Sequence, residues 1–278
     1  MVLAALASRS GELNPIAPVR MRKLRPLVRK QLWIFDFDNT IARLEPEVDW
    51  AGGRRELEPM LRQLAVPEDL FAQFPRGNLP LYAGMHTRLL ELAKDRASGF
   101  SAARVRSILR SASTTIEKYE MAGVDRAAPL DGAIDLLTGL KEKNARLAIV
   151  TSNSSRTIRR WFAIHRITRL IDTIVGRDSL LALKPSPEMI ARALDRCGVP
   201  PNDSVFVGDA DSDYRAATAA GLEFFGIAFN QDLRDKLAAA GARRIFSSPV
   251  ALGIHLNVLD APEVASGNNA EARAPQRS

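Results

Sequence analysis

The stretch LWIFDFDNT at residues 32–40 decides the fold of this chain. Its first four residues are all apolar, which is typical of a strand buried on both faces of a sheet. Asp36 and Asp38 follow directly and are two residues apart, so an extended backbone points both side chains to the same side. The stretch therefore predicts a buried strand whose carboxyl end carries a pair of carboxylates.

Apolar runs of the same kind return in the second half of the chain, where they alternate with segments of helical periodicity. Such alternation indicates parallel strands joined by helical crossovers. We therefore predict an α/β fold, a Rossmann-like parallel sheet with helices on both faces. After residues 32–35, the predicted strands cover 147–150, 173–175, 205–207, 224–228 and 244–246, and the predicted helices cover 134–143, 155–164, 187–197, 214–220 and 232–240.

Residues 43–128 interrupt this pattern, because their apolar residues recur at helical spacing, as at Leu57, Leu61 and Leu64. We predict that they form a helical insert, and that residues 31–42 and 129–260 form the core. Gly52-Gly53, residues 75–80 and Ser98-Gly99 are interpreted as breaks between the helices of the insert.

The net charge of the 278-residue chain is +7, and most of it belongs to one end. Residues 1–30 contain seven bases against one acid, so the rest of the chain is almost neutral. This distribution argues against a nucleic-acid-binding face on the folded body. We predict that residues 1–30 form a basic, disordered arm and that the small, polar residues 261–278 form a disordered tail.

The same composition limits the location and the kinds of site. The single cysteine, Cys197, excludes an intrachain disulfide and a cysteine-rich zinc site, and a reducing, cytoplasmic setting is expected. No run of about 18 apolar residues occurs, so we expect no membrane insertion. The oligomeric state is left open.

Polar side chains follow the other predicted strands at the points where they end. Thr151, Ser152 and Asn153 follow the second strand, Lys184-Pro185 follows the third, and Asp209 and Asp213 follow the fourth. Ligands bind at the carboxyl ends of the strands in open parallel sheets. We therefore expect these residues to meet Asp36 and Asp38 at one edge of the sheet.

Carboxylates, a lysine and a hydroxyl-plus-amide cluster are suited to phosphoryl transfer. We predict that Asp36 attacks phosphorus and that Asp38 protonates the leaving oxygen and later activates water. Lys184 would neutralise charge on the nucleophile and on the transferring group. Phosphate-binding residues are predicted to be Thr151, Ser152, Asn153 and Lys184, and Mg²⁺ ligands to be Asp36, Asp38, Asp209 and Asp213.

These motifs resemble those of the haloacid dehalogenase superfamily, in its phosphatase branch. Residues 36–40 match that family's Asp-x-Asp-x-Thr motif, Thr151 its second, Lys184-Pro185 its third, and Gly208-Asp209 with Asp213 its fourth. The resemblance implies an aspartyl-phosphate intermediate, Mg²⁺, a Rossmann-like core and a helical cap formed by the insert. The arrangement is similar to that of phosphoglycolate phosphatases and phosphosugar mutases.

The resulting hypothesis is a Mg²⁺-dependent phosphatase that hydrolyses a small phosphorylated metabolite through Asp36. A phosphosugar mutase using the same intermediate is one alternative, and a non-catalytic binding or regulatory module with the same fold is another. Substrate-facing positions in the insert are expected around residues 75–78, Tyr82, His86 and Arg88, with Arg54 and Arg55 as competitors.

Overall fold

A computed structural model describes residues 30–260 of the chain. Its strands are β1 Leu32–Phe35, β2 Arg146–Val150, β3 Thr173–Val175, β4 Ser204–Gly208, β5 Glu223–Ile227 and β6 Ile245–Phe246. They form one parallel sheet in the order β3-β2-β1-β4-β5-β6. The predicted tail at 261–278, and the predicted arm except for residue 30, lie outside the described residues.

Strand β1 lies at the centre of the sheet because both of its faces are apolar. Leu32 and Ile34 pack into the apolar cluster on one face, and Trp33 and Phe35 pack into the cluster on the other. Phe35 is in register with Ile149 of β2 and with Val207 of β4. The carboxyl ends of these three strands are therefore level, which brings the residues that follow them to one edge.

Helices cover both faces of the sheet. Within the described residues, the helices that follow the insert are α5 Ala133–Glu142, α6 Ser155–Ile164, α7 Glu188–Cys197, α8 Asp211–Ala219, α9 Gln231–Ala240 and α10 Pro249–His255. Apolar residues of α5, α6 and α10 share one cluster with Trp33 and Phe35, and those of α7, α8 and α9 share the other with Leu32 and Ile34. The predicted α/β fold is confirmed.

Residues 43–128 contain four α-helices, namely α1 Trp50–Gln63, α2 Glu68–Gln73, α3 Asn78–Leu92 and α4 Ala102–Gly123. Helix α4 packs against α1 and α3. Their buried side chains, such as Leu57, Met85 and Ile116, belong to the same apolar cluster as Leu32 and Ile34 of β1. The insert therefore contributes to the apolar packing on one face of the sheet. The assignment of the insert and the core as separate domains stays a prediction.

Three local predictions differ from the structure, and the first is the break predicted at 75–80, because residues 78–80 already form the start of α3. Gly52 and Gly53 lie inside α1 and do not break it. The reason is close packing, since a Cβ atom on Gly53 would lie 2.9 Å from Asn78 Nδ2 and 3.3 Å from Tyr119 Cδ2. Helix α10 was not predicted, because its seven residues are too few to show a helical period.

In the part of the chain from 30 to 260, every helix is too short or too polar to cross a membrane.

Candidate active site

Lys184 and two carboxylates form the centre of the site. The Lys184 ammonium donates a hydrogen bond to Asp36 Oδ1 at 2.6 Å and lies 2.5 Å from Asp213 Oδ1. It also donates to the carbonyl oxygen of Val150, the last residue of β2, at 3.3 Å. The side chain of Lys184 is only 5% exposed, so this charge is held away from bulk water. Asp36 follows β1 and Asp213 lies in the first turn of α8, so β1, α8 and the loop after β3 all meet here.

Asp209 joins Asp36 and Asp213 in a cluster of three carboxylates, with one oxygen atom from each lying within 4.8 Å of the others. Burial raises the pKa of Asp36 to about 7, although Lys184 opposes the shift. Burial, together with the charges of Asp36 and Asp213, raises the pKa of Asp209 to about 9. Three acids facing a single lysine leave excess negative charge, and a divalent cation with oxygen ligands would neutralise it. The donor set therefore fits a divalent metal ion.

The side chain of Asp38 is not part of this three-carboxylate cluster, and its predicted role as a metal ligand stays a prediction. The prediction assumed an extended backbone through Asp38, but β1 ends at Phe35. Asp38 Oδ1 instead accepts hydrogen bonds from the amides of Leu44 at 2.9 Å and Glu45 at 3.2 Å. Burial raises its pKa to about 6, against the effect of these amides. A carboxyl group with this pKa suits proton transfer near neutral pH.

Of the predicted phosphate-binding residues, Thr151, Ser152 and Asn153 lie together in a loop between β2 and α6, and Lys184 follows β3. Most hydrogen-bond donors of the loop are already used. Asn153 N–H donates to Thr151 Oγ1 at 3.2 Å, and the Thr151 hydroxyl donates to Asn153 Oδ1 at 3.0 Å. Thr151 N–H donates to the Val175 carbonyl at 3.1 Å. Among the described residues, no group accepts a hydrogen bond from Ser152 N–H. This amide therefore remains a free backbone donor in the loop.

Carboxylates accept the hydrogen bonds of the amides at the start of α6. Fewer amides therefore remain for the predicted phosphate binding. Ser154 N–H donates to Glu120 Oε2 at 3.0 Å, and Ser155 N–H donates to Asp178 Oδ1 at 2.7 Å. Helix N-termini commonly bind anions, but here side chains of the protein occupy these two donors.

Glu120, Arg177 and Asp178 were missed in the sequence. Glu120 and Arg177 form an ion pair at 2.6 Å with both side chains fully buried. Glu120 continues the buried stripe of α4 that includes Ala112 and Ile116. An acid on an apolar stripe is a signal of a buried partner, although it does not identify that partner.

The residues expected to face substrate in the insert are divided between buried and exposed positions. Tyr82 and His86 lie on the inner side of α3, while Arg88 is exposed. His86 Nε2 is 3.1 Å from the carbonyl oxygen of Leu180, so it contacts the loop that leads to Lys184. Arg54 donates to the Phe74 carbonyl at 2.9 Å. These contacts give Tyr82, His86 and Arg54 packing or bonding roles in the structure.

A cavity of about 440 Å³ lies between α3 and the loop of residues 182–186, here called the Lys184 loop. Its lining is mainly apolar and includes Phe74, Gly84, Leu183, Lys184 and Pro185. The cavity places helix α3 directly beside the lysine of the site.

The sequence and fold of this chain resemble those of known proteins. The family model described as haloacid dehalogenase-like hydrolase matches residues 85–227, which is half of the chain. This chain belongs to that family.

Curated relatives of this haloacid dehalogenase-like hydrolase include several phosphoglycolate phosphatases. That of Pseudomonas putida is 32% identical over 98 residues, which cover 35% of this chain and 36% of the relative. That of Pseudomonas fluorescens is 26% identical over 144 residues, covering 49% and 53%. The chain thus matches only about a third to a half of the length of these relatives. The phosphoglycolate phosphatase of Mannheimia succiniciproducens is 25% identical over 212 residues, covering 76% of this chain and 92% of the relative.

Solved structures support the fold of this haloacid dehalogenase-like hydrolase. A haloacid dehalogenase-like hydrolase from Bacteroides fragilis has a TM-score of 0.55 and 20% identity, covering 78% of this chain and 97% of that one. CbbY from Rhodobacter sphaeroides, solved in complex with phosphate, has a TM-score of 0.53 and 23% identity, covering 80% and 96%.

Proposed function

We propose that this protein is a Mg²⁺-dependent phosphatase that hydrolyses a small phosphomonoester through an aspartyl-phosphate on Asp36. The observation that carries the proposal is the buried cluster at the end of β1, where Lys184 joins Asp36 to Asp213 and Asp209 lies alongside. Phosphoglycolate phosphatases among the relatives support a small phosphorylated substrate. Because every motif acid and the lysine are present, the proposal favours an enzyme over a non-catalytic module.

In the first step, an oxygen of Asp36 attacks phosphorus, and the bond between phosphorus and the leaving oxygen breaks. Asp38 gives its proton to that oxygen, which a carboxyl group with a pKa of about 6 can do. Lys184 and the Ser152 amide stabilise negative charge on the transferring group. In the second step, Asp38 removes a proton from water, the water oxygen attacks phosphorus, and Asp36 is regenerated as inorganic phosphate leaves.

Asp36, Asp209 and Asp213 are the side chains that would hold Mg²⁺, with Asp213 shared with Lys184. When bound, Mg²⁺ supplies positive charge that lets the phosphoryl group approach the carboxylates. Asp36 must be ionised to attack phosphorus, and the ammonium of Lys184 favours that form.

We further propose that residues 43–128 act as a cap that contacts the leaving group. Helix α3 supports this proposal, because it lies across the 440 Å³ cavity from the Lys184 loop. A lid of this kind excludes bulk water and distinguishes leaving groups.

The test is release of inorganic phosphate from a panel of phosphorylated metabolites, including 2-phosphoglycolate, with Mg²⁺ and after chelation. We expect Mg²⁺-dependent release that is lost in Asp36→Asn, because an amide is a poor nucleophile. Asp211→Asn is the matched control, since Asp211 is a nearby acid at the start of α8 that is exposed and paired with Arg215.

Failure of the whole panel, or equal activity of wild type and Asp36→Asn, would exclude the proposed function. Isomerisation of a sugar phosphate without matching phosphate release would identify a mutase instead.

A further inference from the structure

A buried ion pair connects helix α4 of the insert to the phosphate-binding loop. Arg177 follows β3, and its guanidinium donates to Glu120 Oε1 at 2.6 Å and to Glu120 Oε2 at 3.2 Å. The same guanidinium donates to the Ser152 carbonyl at 2.8 Å and to the Ser113 carbonyl at 3.2 Å. Neither charged side chain is exposed, so both depend on protein groups for their hydrogen bonds.

Glu120 is bonded to the loop as well as to Arg177. It accepts hydrogen bonds from Asn153 Nδ2 at 3.2 Å, Ser154 N–H at 3.0 Å and Thr157 Oγ1 at 3.2 Å. Asn153 extends this hydrogen-bond network to Thr151, because its Oδ1 accepts a hydrogen bond from the Thr151 hydroxyl at 3.0 Å. The Glu120 carboxylate on α4 thus holds two residues of the loop and one residue in the first turn of α6.

The consequence is a defined direction for the Ser152 amide. The peptide before Thr151 is held by Val175, and the peptide after Ser152 is held at its carbonyl by Arg177 and at its N–H by Thr151. The peptide between Thr151 and Ser152 has little freedom to rotate. Its N–H therefore stays unpaired by any described residue and available to an oxygen ligand.

The opposite charges of Glu120 and Arg177 also affect how the loop can bind a phosphoryl group. An isolated carboxylate beside the loop would repel a phosphoryl group, whereas the adjacent guanidinium neutralises it. The pair therefore holds the loop by strong, charge-assisted hydrogen bonds and adds no net charge of its own.

We propose that Glu120 and Arg177 are positioning residues, which hold residues 151–154 so that Ser152 N–H binds the phosphoryl group. The inference rests on the proposed function and assigns the insert a part in phosphate binding through α4. Neither residue touches the phosphate in this arrangement. Both act through the loop.

The experiment measures binding of inorganic phosphate by calorimetry in the presence of Mg²⁺, alongside its inhibition constant and the kcat and KM of the best substrate. We expect Glu120→Gln to weaken phosphate binding by about tenfold or more, because a buried charge-assisted acceptor is replaced. The matched control is Asp125→Asn, since Asp125 and Arg160 also connect the end of α4 to α6. That pair is about half exposed and does not contact the loop. We expect it to leave phosphate binding within about twofold of wild type.

A double variant, Glu120→Gln with Arg177→Met, separates positioning from simple stability. Removing both charges avoids the unpaired buried arginine of the single variant, so we expect the Tm to recover from its value in Glu120→Gln. If the pair positions the loop, weak phosphate binding persists in the double variant. Recovery of both Tm and phosphate binding would overturn the inference, and so would unchanged binding in folded Glu120→Gln.

The measurement of phosphate binding also distinguishes this inference from the proposed function. If wild type hydrolyses no phosphomonoester but binds phosphate more tightly than Glu120→Gln does, the activity is excluded and the positioning role stands. If wild type binds no phosphate, the positioning role fails as well.

Discussion

Replacing Lys184 with methionine is expected to reduce catalysis and to change its pH dependence in a defined direction. Lys184 is 5% exposed and lies 2.6 Å from Asp36 and 2.5 Å from Asp213. Methionine has a similar length but no charge, so the variant leaves two buried carboxylates facing each other and Asp209.

The magnitude follows from these contacts. Removing a group that stabilises charge in the transition state costs about 10²–10³-fold in kcat. Removing one partner of a buried ion pair costs about 3–5 kcal/mol in the free energy of unfolding. This loss in the free energy of unfolding is not reduced by solvent screening, because Lys184 and its partners are almost fully buried.

The pH profile gives an independent readout. Asp36 acts as nucleophile only when ionised, so kcat/KM should rise with pH through the pKa of Asp36. The ammonium of Lys184 lowers the pKa of Asp36, so loss of the lysine shifts the rising limb to higher pH. The assay is kcat/KM from pH 5 to pH 9 at saturating Mg²⁺, with unfolding in urea measured in parallel.

Two further variants control this prediction. Lys184→Arg keeps the positive charge and should retain the position of the rising limb better than methionine does. Lys184→Met with Asp213→Asn removes one excess carboxylate and should regain stability without regaining kcat. A methionine variant with less than a tenfold loss of kcat and an unshifted limb would refute the reasoning.

Three other predictions concern Asp38, Mg²⁺ and Gly208. Asp38→Asn should abolish the falling limb of kcat/KM above pH 6, because a group with a pKa of about 6 loses its proton there, and persistence of the limb would exclude Asp38 as the general acid. The carboxyl of Asp209 has a pKa of about 9 when folded and near 3.8 when unfolded, so its ionisation destabilises the metal-free fold as pH rises. Mg²⁺ should therefore raise Tm more at pH 8 than at pH 5, measured by scanning calorimetry, and an equal effect at both would contradict the assigned site. In Gly208→Ala the new Cβ atom would lie 2.4 Å from Asp213 Oδ2, which should displace Asp213 from Lys184 and lower kcat, whereas Gly226→Ala on the neighbouring strand meets Leu237 at 2.9 Å and should cost only about 1–3 kcal/mol of stability.

Most strands could be predicted from the sequence because their signal is local. Residues 32–35 and 173–175 are strands with the predicted bounds, and the ends of the other strands differ by at most one residue. Helix α6 also has its predicted bounds. The exceptions arose where distant packing overrides local preference, as at Gly52-Gly53, where α1 lies against Tyr119 and Asn78.

The sequence by itself determined the sheet and the edge at which Asp36, Thr151, Lys184 and Asp209 meet. The physical reason is that apolar runs specify buried parallel strands, and the carboxyl ends of such strands lie at one edge. Only the tertiary structure decided which donors and acceptors remain available there. It bonded Asp38 to the amide of Leu44 and paired Glu120 with Arg177 across 57 residues of chain. These pairings depend on how α4 and the loops pack in space, and a periodic pattern along the chain carries no information about that distance.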